Sequence, residues 1–132
     1  MHKLAALYSR SATDDRQDVN KQITELNNYC EENNIQNFKH YIDKHQSGVK
    51  LDRPAFKKLI QDLEAGKIDK IFVIDISRIS RNFSEIAQLI HYQIEPNHAK
   101  LIALGSGDYR LDDYNPENGF FTDLLTRIKS DL

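Results

Sequence analysis

Apolar positions along the chain alternate between short continuous runs and stripes of helical period, the pattern of an α/β domain. The first run predicts a strand over about Lys3–Tyr8. A helix is expected from about Gln17 to Asn33, with Val19, Ile23, Leu26 and Cys30 on one face and Asn33-Asn34 ending it. A second strand is predicted at about Phe38–Ile42. The polar stretch DKHQSGVKLDR follows, and Pro54 then opens a helix whose Phe56, Leu59, Ile60 and Leu63 face the core and which Gly66 stops. Ile71-Phe72-Val73-Ile74 is apolar throughout, as expected of a central strand covered on both faces. Asn82, with Glu85 three positions later, makes a capping arrangement for a helix carrying Ile86, Leu89 and Ile90, which Pro96 closes. Leu101–Leu104 predicts a fourth strand. The loop-like GSGDYRLDDYNP leaves room for a short edge strand, and Pro116 suits the first turn of a last helix. That helix carries Phe120, Phe121, Leu124, Leu125, Ile128 and Leu132 along one stripe and has no capping signal after it, which reads as a cut in mid-helix.

The 132 residues suit one domain spanning 1–132. Charged residues at 29% and hydrophobic ones at 39%, with six Tyr and six Phe, exclude a disordered chain. No apolar run approaches the roughly 20 residues that span a bilayer, and the apolar run in MHKLAALY is too short for a secretory signal. A cytoplasmic location without membrane contact is the expectation. Cys30 stands alone, which excludes an intrachain disulfide and zinc sites built on several cysteines; its place on an apolar stripe predicts a buried core thiol. The five histidines, at 2, 40, 45, 91 and 98, show no metal-ligating spacing, so neither metal nor cofactor is expected. A net charge of −2 leaves nucleic-acid binding open, because affinity for phosphates depends on where the cations cluster.

They cluster at one edge of the expected sheet. In open α/β sheets functional groups gather at the carboxyl ends of strands, where loops meet helix N-termini. YSRSATDDRQ follows the first strand, DKHQSGVKLDR the second and DISRISRN the third, which places Arg10, Arg53, Arg78 and Arg81 at that edge. Strand alternation puts Tyr8, Arg10 and, if the extended backbone continues, Ala12 on a common side. A single arginine here is as well explained by a solvated loop rim. Guanidiniums after three strands instead suit a phosphate, since each offers a planar fork of donors that stays charged at any relevant pH. A phosphodiester is the natural candidate.

These residues carry a resemblance. Tyr8-Ser9-Arg10-Ser11-Ala12-Thr13 is similar to the Y-x-R-x-S-T opening of serine recombinases of the resolvase/invertase and large serine integrase families. Ser47-Gly48 with Leu51-Asp52-Arg53-Pro54 resembles their S-G-x-x-x-x-R-P segment, and Arg78-Ile-Ser-Arg81-Asn82 their R-x-S-R-N segment. The resemblance implies a resolvase-like three-layer α/β domain, with a mostly parallel sheet of about four to five strands flanked by helices and a C-terminal helix starting near residue 117. It implies the catalytic domain of a prokaryotic or phage-type mobile-element protein, truncated before its DNA-binding region. The implied chemistry is metal-free: a serine attacks a phosphodiester of double-stranded DNA, forms a 5′-phosphoserine link, and the ends exchange within a tetramer built from homodimers. Carried over by position, Arg10, Arg78 and Arg81 contact the scissile phosphate and Arg53 supports transition-state charge or departure of the leaving group. Asp43 and Ser47 match polar positions, Gln22 matches a glutamine near the phosphate, and Tyr8 serves as a wall of the site rather than a proton donor. The separated chain is expected to be a monomer or weak dimer that binds DNA weakly and with steep salt dependence.

Three positions depart from the pattern. Ala12 stands where the family has its nucleophile, and a methyl group has no oxygen with which to attack phosphorus, so the chain as written should not cleave. Three readings stay open: an engineered Ser-to-Ala change, a naturally inactive homologue kept for regulation or oligomerisation, or a shifted nucleophile at Ser11 or Thr13. Ser11 points to the opposite side of an extended strand, against it as the attacker. Ser77 stands where many members of the family have an aspartate beside the arginine and some integrase-like members have serine, a tolerated variation, with Asp75 available two positions earlier to take part in orienting the arginine. Gln17 lies one residue later than the usual glutamine after the nucleophile, with Arg16 in its place.

Overall fold

The computed structural model describes residues 3–11, 16–44, 53–80 and 82–104, apart from the side chains of Arg16, Gln17 and Phe83. Strand β1 (Leu4–Arg10) leads to helix α1 (Arg16–Glu32), β2 (Phe38–Asp43) to α2 (Pro54–Glu64), and β3 (Ile68–Val73) through a 3₁₀ turn (Ile76–Arg78) to α3 (Phe83–Leu89) and then β4 (Lys100–Ala103). The sheet runs in the order β2-β1-β3-β4, and every pairing is parallel. The predicted edge strand and last helix lie outside the described residues.

Alternation along the strands builds the two layers. Ala6, Tyr8, Ile71, Val73, Leu101 and Ala103 pack with Leu59 and Leu63 of α2 and Ile86 and Leu89 of α3. The intervening Ala5, Leu7, Phe72 and Ile102 pack instead with Leu26 and Cys30 of α1. Where they are covered on both faces, β1 from Ala5 to Tyr8 and β3 from Ile71 to Val73 are apolar throughout, as such segments must be. Cys30 is buried as expected, and burial pushes its thiol pKa up. On α1 the buried turn-by-turn positions are Val19, Gln22, Leu26 and Cys30, so a glutamine holds a place beside the half-buried Ile23 that the apolar stripe favours.

The three helical segments return to the sheet by one device. At the end of α1, the Ile35 N–H donates to the Cys30 carbonyl and the Asn34 N–H to that of Glu31; at α2, Lys67 donates to Asp62 and Gly66 to Leu63; before β4, Ala99 donates to Ile94 and His98 to Glu95. Each is the paired bonding of a Schellman stop, with Asn34, Gly66 and His98 at positive φ (57°, 79° and 55°). Gly66 adopts that conformation without steric cost, Asn34 tolerates it, and His98 is held there by its surroundings. Helix α3 is also less regular than its apolar stripe suggests. After Leu89 it widens into a π turn (Ile90–Ile94) and tightens into a 3₁₀ turn (Glu95–Asn97). Pro96 sits in that turn, where it lacks the N–H that a further α-turn requires.

Candidate active site

The carboxyl ends of β1 and β3 bring two of the arginines together. The Arg10 Nε donates to the Arg78 carbonyl at 2.8 Å and its Nη2 to the Ser77 carbonyl at 3.0 Å, so the side chain lies across the 3₁₀ turn. Gln22 fixes the backbone of the same residue. Its Oε1 accepts the Arg10 N–H at 3.1 Å and its Nε2 donates to the Arg10 carbonyl at 3.0 Å, a two-point clamp from a side chain only 2% exposed. The same Nε2 reaches Asp18 Oδ2 at 3.1 Å. Beyond Arg10 the Ser11 N–H donates to the Asp43 carbonyl at 3.1 Å, so strand-like bonding continues to Ser11, which is itself buried.

Arg78 is turned toward α1. Its Nη1 and Nη2 each meet a different oxygen of the Asp18 carboxylate, at 3.1 and 3.3 Å, and Nη1 also donates to the Arg10 carbonyl at 3.3 Å. Behind it, Asp75 Oδ2 lies 3.5 Å from Nε. Asp75 also accepts the Ser77 N–H at 3.0 Å and the Ser77 hydroxyl, capping the turn that carries Arg78. With serine at 77, the carboxylate beside the arginine therefore comes from two positions earlier.

A second group gathers at the end of β2. Asp43, 1% exposed, accepts the Tyr8 hydroxyl at 2.7 Å and the N–H groups of Ala55 and Phe56 at 2.9 and 3.1 Å. The N-cap residue of α2 is Arg53, whose side chain makes no capping bond, so the carboxylate arrives from a neighbouring strand to meet the free amides and the positive end of the helix. Burial foremost, then the Asp43 carboxylate that accepts its proton, drive the Tyr8 pKa far above the usual phenol value; the Arg53 guanidinium opposes this and does not prevail. Tyr8 thus keeps its proton and holds it in the hydrogen bond to Asp43. Arg53 stands 5.4 Å above the Phe56 ring and is only 9% exposed, with a buried Nη1 that has no hydrogen-bond partner among the described residues. It lines a cleft of about 470 Å³ together with Phe56, Lys57, Ile79, Leu89 and the exposed Tyr92.

Of the residues expected at the site, Tyr8, Arg10, Gln22, Asp43, Arg53, Ser77 and Arg78 are placed at the carboxyl ends of the strands or on the helix turns facing them. Ala12, Ser47 and Arg81, and the side chain of Gln17, lie outside what is described. The arginines are more engaged than a bare cationic rim: Arg10 bonds carbonyls of the turn after β3, and Arg78 is paired with carboxylates. Asp18 was not foreseen, although it lies one helical turn before Gln22 and so on the same face of α1. Among the described residues no group of three or more His, Cys, Asp or Glu is arranged to hold a metal ion. None of the described helices is long and apolar enough to cross a membrane.

The family model of the resolvase N-terminal domain matches residues 5–130. The chain belongs to the resolvase family. Its fold agrees with that of solved serine recombinase catalytic domains. The N-terminal catalytic domain of TP901-1 integrase superposes with a TM-score of 0.71 at 26% identity, covering 98% of this chain and 93% of the other. A resolvase family site-specific recombinase from Streptococcus pneumoniae gives 0.71 at 14% identity, with coverages of 98% and 90%. The C-terminal catalytic domain of ISC1926 TnpA, an IS607-like serine recombinase, gives 0.60 at 22%, with coverages of 96% and 82%. No curated protein matches the sequence.

Proposed function

We propose that residues 1–132 form the catalytic domain of a site-specific recombinase that binds a DNA phosphodiester between the ends of β1 and β3 and, with serine at position 12, cleaves it. The observation that carries this reading is the joining of Arg10 and Arg78: the side chain of one lies on the turn that bears the other, and Gln22 clamps the backbone beside them. Two guanidiniums so fixed can meet the non-bridging oxygens of one phosphate, with Arg81 as a third. Arg53, held by burial with a free Nη1, stabilises charge at the transition state or on the leaving oxygen. In the reaction the seryl oxygen attacks phosphorus and gives up its proton, the bond to the 3′ oxygen breaks, and that oxygen leaves as a hydroxyl. Attack of a 3′ hydroxyl from another strand on the phosphoserine reverses the step and joins new ends. Little in this sequence needs covalent help beyond the serine; positioned cations supply the charge stabilisation, each worth about 10²–10³ in rate by analogy with other oxyanion donors.

Ala12 removes the attacking oxygen, so the chain as it stands binds DNA and leaves it intact. The test is strand cleavage of a supercoiled plasmid bearing the element's site, comparing alanine with serine at position 12 in the full-length protein. A covalent protein–DNA adduct only with Ala12→Ser is expected. Cleavage by the alanine form would instead assign the attack to Ser11 or Thr13. Ala12 itself also favours a second reading, a recombinase fold kept for regulation or oligomerisation. Arg78→Glu combined with Arg81→Glu separates the two, since a pure assembly module tolerates the reversal and a phosphate clamp does not.

A further inference from the structure

Resting on that reading of the site, we propose that Asp18 is a positioning residue that occupies the Arg78 fork before DNA arrives and is displaced by the phosphate. The geometry is that of a stand-in. Asp18 presents two oxygens to two nitrogens of one guanidinium, at 3.1 and 3.3 Å. The edge of a phosphate offers the same pair of oxygens at similar separation, so a fork of this kind takes either anion and cannot take both. Asp18 also sits in the first turn of α1, where the amino end of the helix favours negative charge. An incoming phosphate therefore meets a carboxylate already in the most favourable place.

The surroundings allow exchange. Arg78 and Asp18 side chains are 26% and 30% exposed, so the pair lies at the solvent edge, where water screens the attraction and such ion pairs add little to stability. Losing it does not release Arg78. The guanidinium keeps Asp75 3.5 Å from Nε and the Arg10 carbonyl 3.3 Å from Nη1. Nor does it release Arg10, because Gln22 holds that backbone by two bonds that do not involve Asp18. Asp18 thus keeps the fork aimed and screens it from other anions, and its departure exposes a clamp already in place.

The experiment is binding of the chain to a short fluorescent DNA duplex, read by anisotropy at fixed ionic strength. Asp18→Asn keeps an acceptor for Gln22 and removes the charge, and it is expected to tighten binding about threefold to tenfold. Asp69→Asn removes the same charge at the opposite end of β3 and is expected to change affinity less than twofold, about what a screened distant charge contributes. In an Arg78→Ala background Asp18→Asn should have no further effect, because the fork it competes for is gone. Thermal melting of each variant accompanies the titration, and Asp18→Ser, a residue suited to a helix start, replaces Asp18→Asn if that protein is unfolded. Unchanged or weaker binding by a folded Asp18 variant overturns the proposal and makes Asp18 a structural brace. An effect equal to that of Asp69→Asn, or one that persists without Arg78, also overturns it. If Arg78→Ala alone leaves duplex binding unchanged, the phosphate-clamp reading itself fails, a result separate from the first two.

Discussion

The two groups at the carboxyl edge of the sheet use the same ingredients, arginine, carboxylate and a hydrogen-bonding side chain, to opposite ends. At the end of β2, Asp43, Tyr8 and Arg53 are all nine-tenths buried or more, and Asp43 satisfies a phenol and two helix amides at once. Between β1 and β3, Arg78, Asp18 and Asp75 stand at 26%, 30% and 40% exposure, and the arginine is shared among several acceptors. A buried carboxylate cannot give up its partners without leaving unpaired polar groups in a low-dielectric interior, whereas an exposed pair exchanges partners at little cost. The first group therefore builds the frame on which α2 is seated. The second is the part that can change partners when an anion arrives.

Substitution of Asp43 gives the largest expected effect. Asp43→Ala leaves the Tyr8 hydroxyl and the Ala55 and Phe56 amides without their acceptor and should cost about 3–4 kcal/mol, read as the urea midpoint at constant slope. A cost below about 1 kcal/mol would mean that water replaces the carboxylate and that this side is no more fixed than the other.

A smaller effect, dependent on pH, is expected where the buried frame continues between β2 and α2. The Tyr41 hydroxyl donates to Asp62 Oδ2 at 2.6 Å, and Lys58 flanks the same carboxylate at 3.4 Å. The Tyr41 bond foremost, with Lys58 helping against burial, holds the Asp62 pKa below the ordinary aspartate value. A carboxyl group whose folded pKa is depressed stabilises the fold above its unfolded pKa, and that contribution disappears as pH falls through the folded value. Tyr41→Phe should therefore lower stability at neutral pH by about 1.5–2 kcal/mol and by less in acid below the folded pKa of Asp62. Denaturation followed from neutral pH downward checks this; an equal loss at both ends would assign the effect to packing rather than to the bonded carboxylate.

The frame was legible in the sequence to different depths. Apolar runs and stripes located every described strand and helix, because a sheet covered on both faces demands continuous apolar strands and a helix on it demands a 3.6-residue period. Gly66 and the Asn pair marked two of the three helix stops. His98 gave no such sign, since its positive φ is imposed by the bonds of Ala99 and its own N–H to the preceding turn rather than by an intrinsic preference. At the candidate site, arginine spacing after the strands pointed to the edge of the sheet where Arg10, Arg53 and Arg78 stand, and Tyr8 and Asp43 are buried there. What spacing did not convey was pairing. Asp18 and Arg78 are sixty positions apart, as Tyr41 and Asp62 are twenty-one, and only the packing of α1 and α2 against the sheet brings them within bonding distance.

The smallest expected effect tests the exposed side directly. Asp75 caps the 3₁₀ turn through the Ser77 N–H and faces Arg78 from behind, so Asp75→Ala removes one cap and one partly solvated ion pair. Caps of this kind contribute about 1 kcal/mol and exposed pairs a few tenths, which places the loss near 1 kcal/mol, a third or less of that expected for Asp43→Ala. The two variants measured side by side in urea decide whether the contrast holds. If Asp75→Ala costs as much as Asp43→Ala, the turn bearing Arg78 is itself part of the frame, and an arginine held that firmly has little freedom to pass from a carboxylate to a phosphate. If the loss stays near 1 kcal/mol, the fold continues without this contact, and the remaining role of Asp75 is to aim the guanidinium.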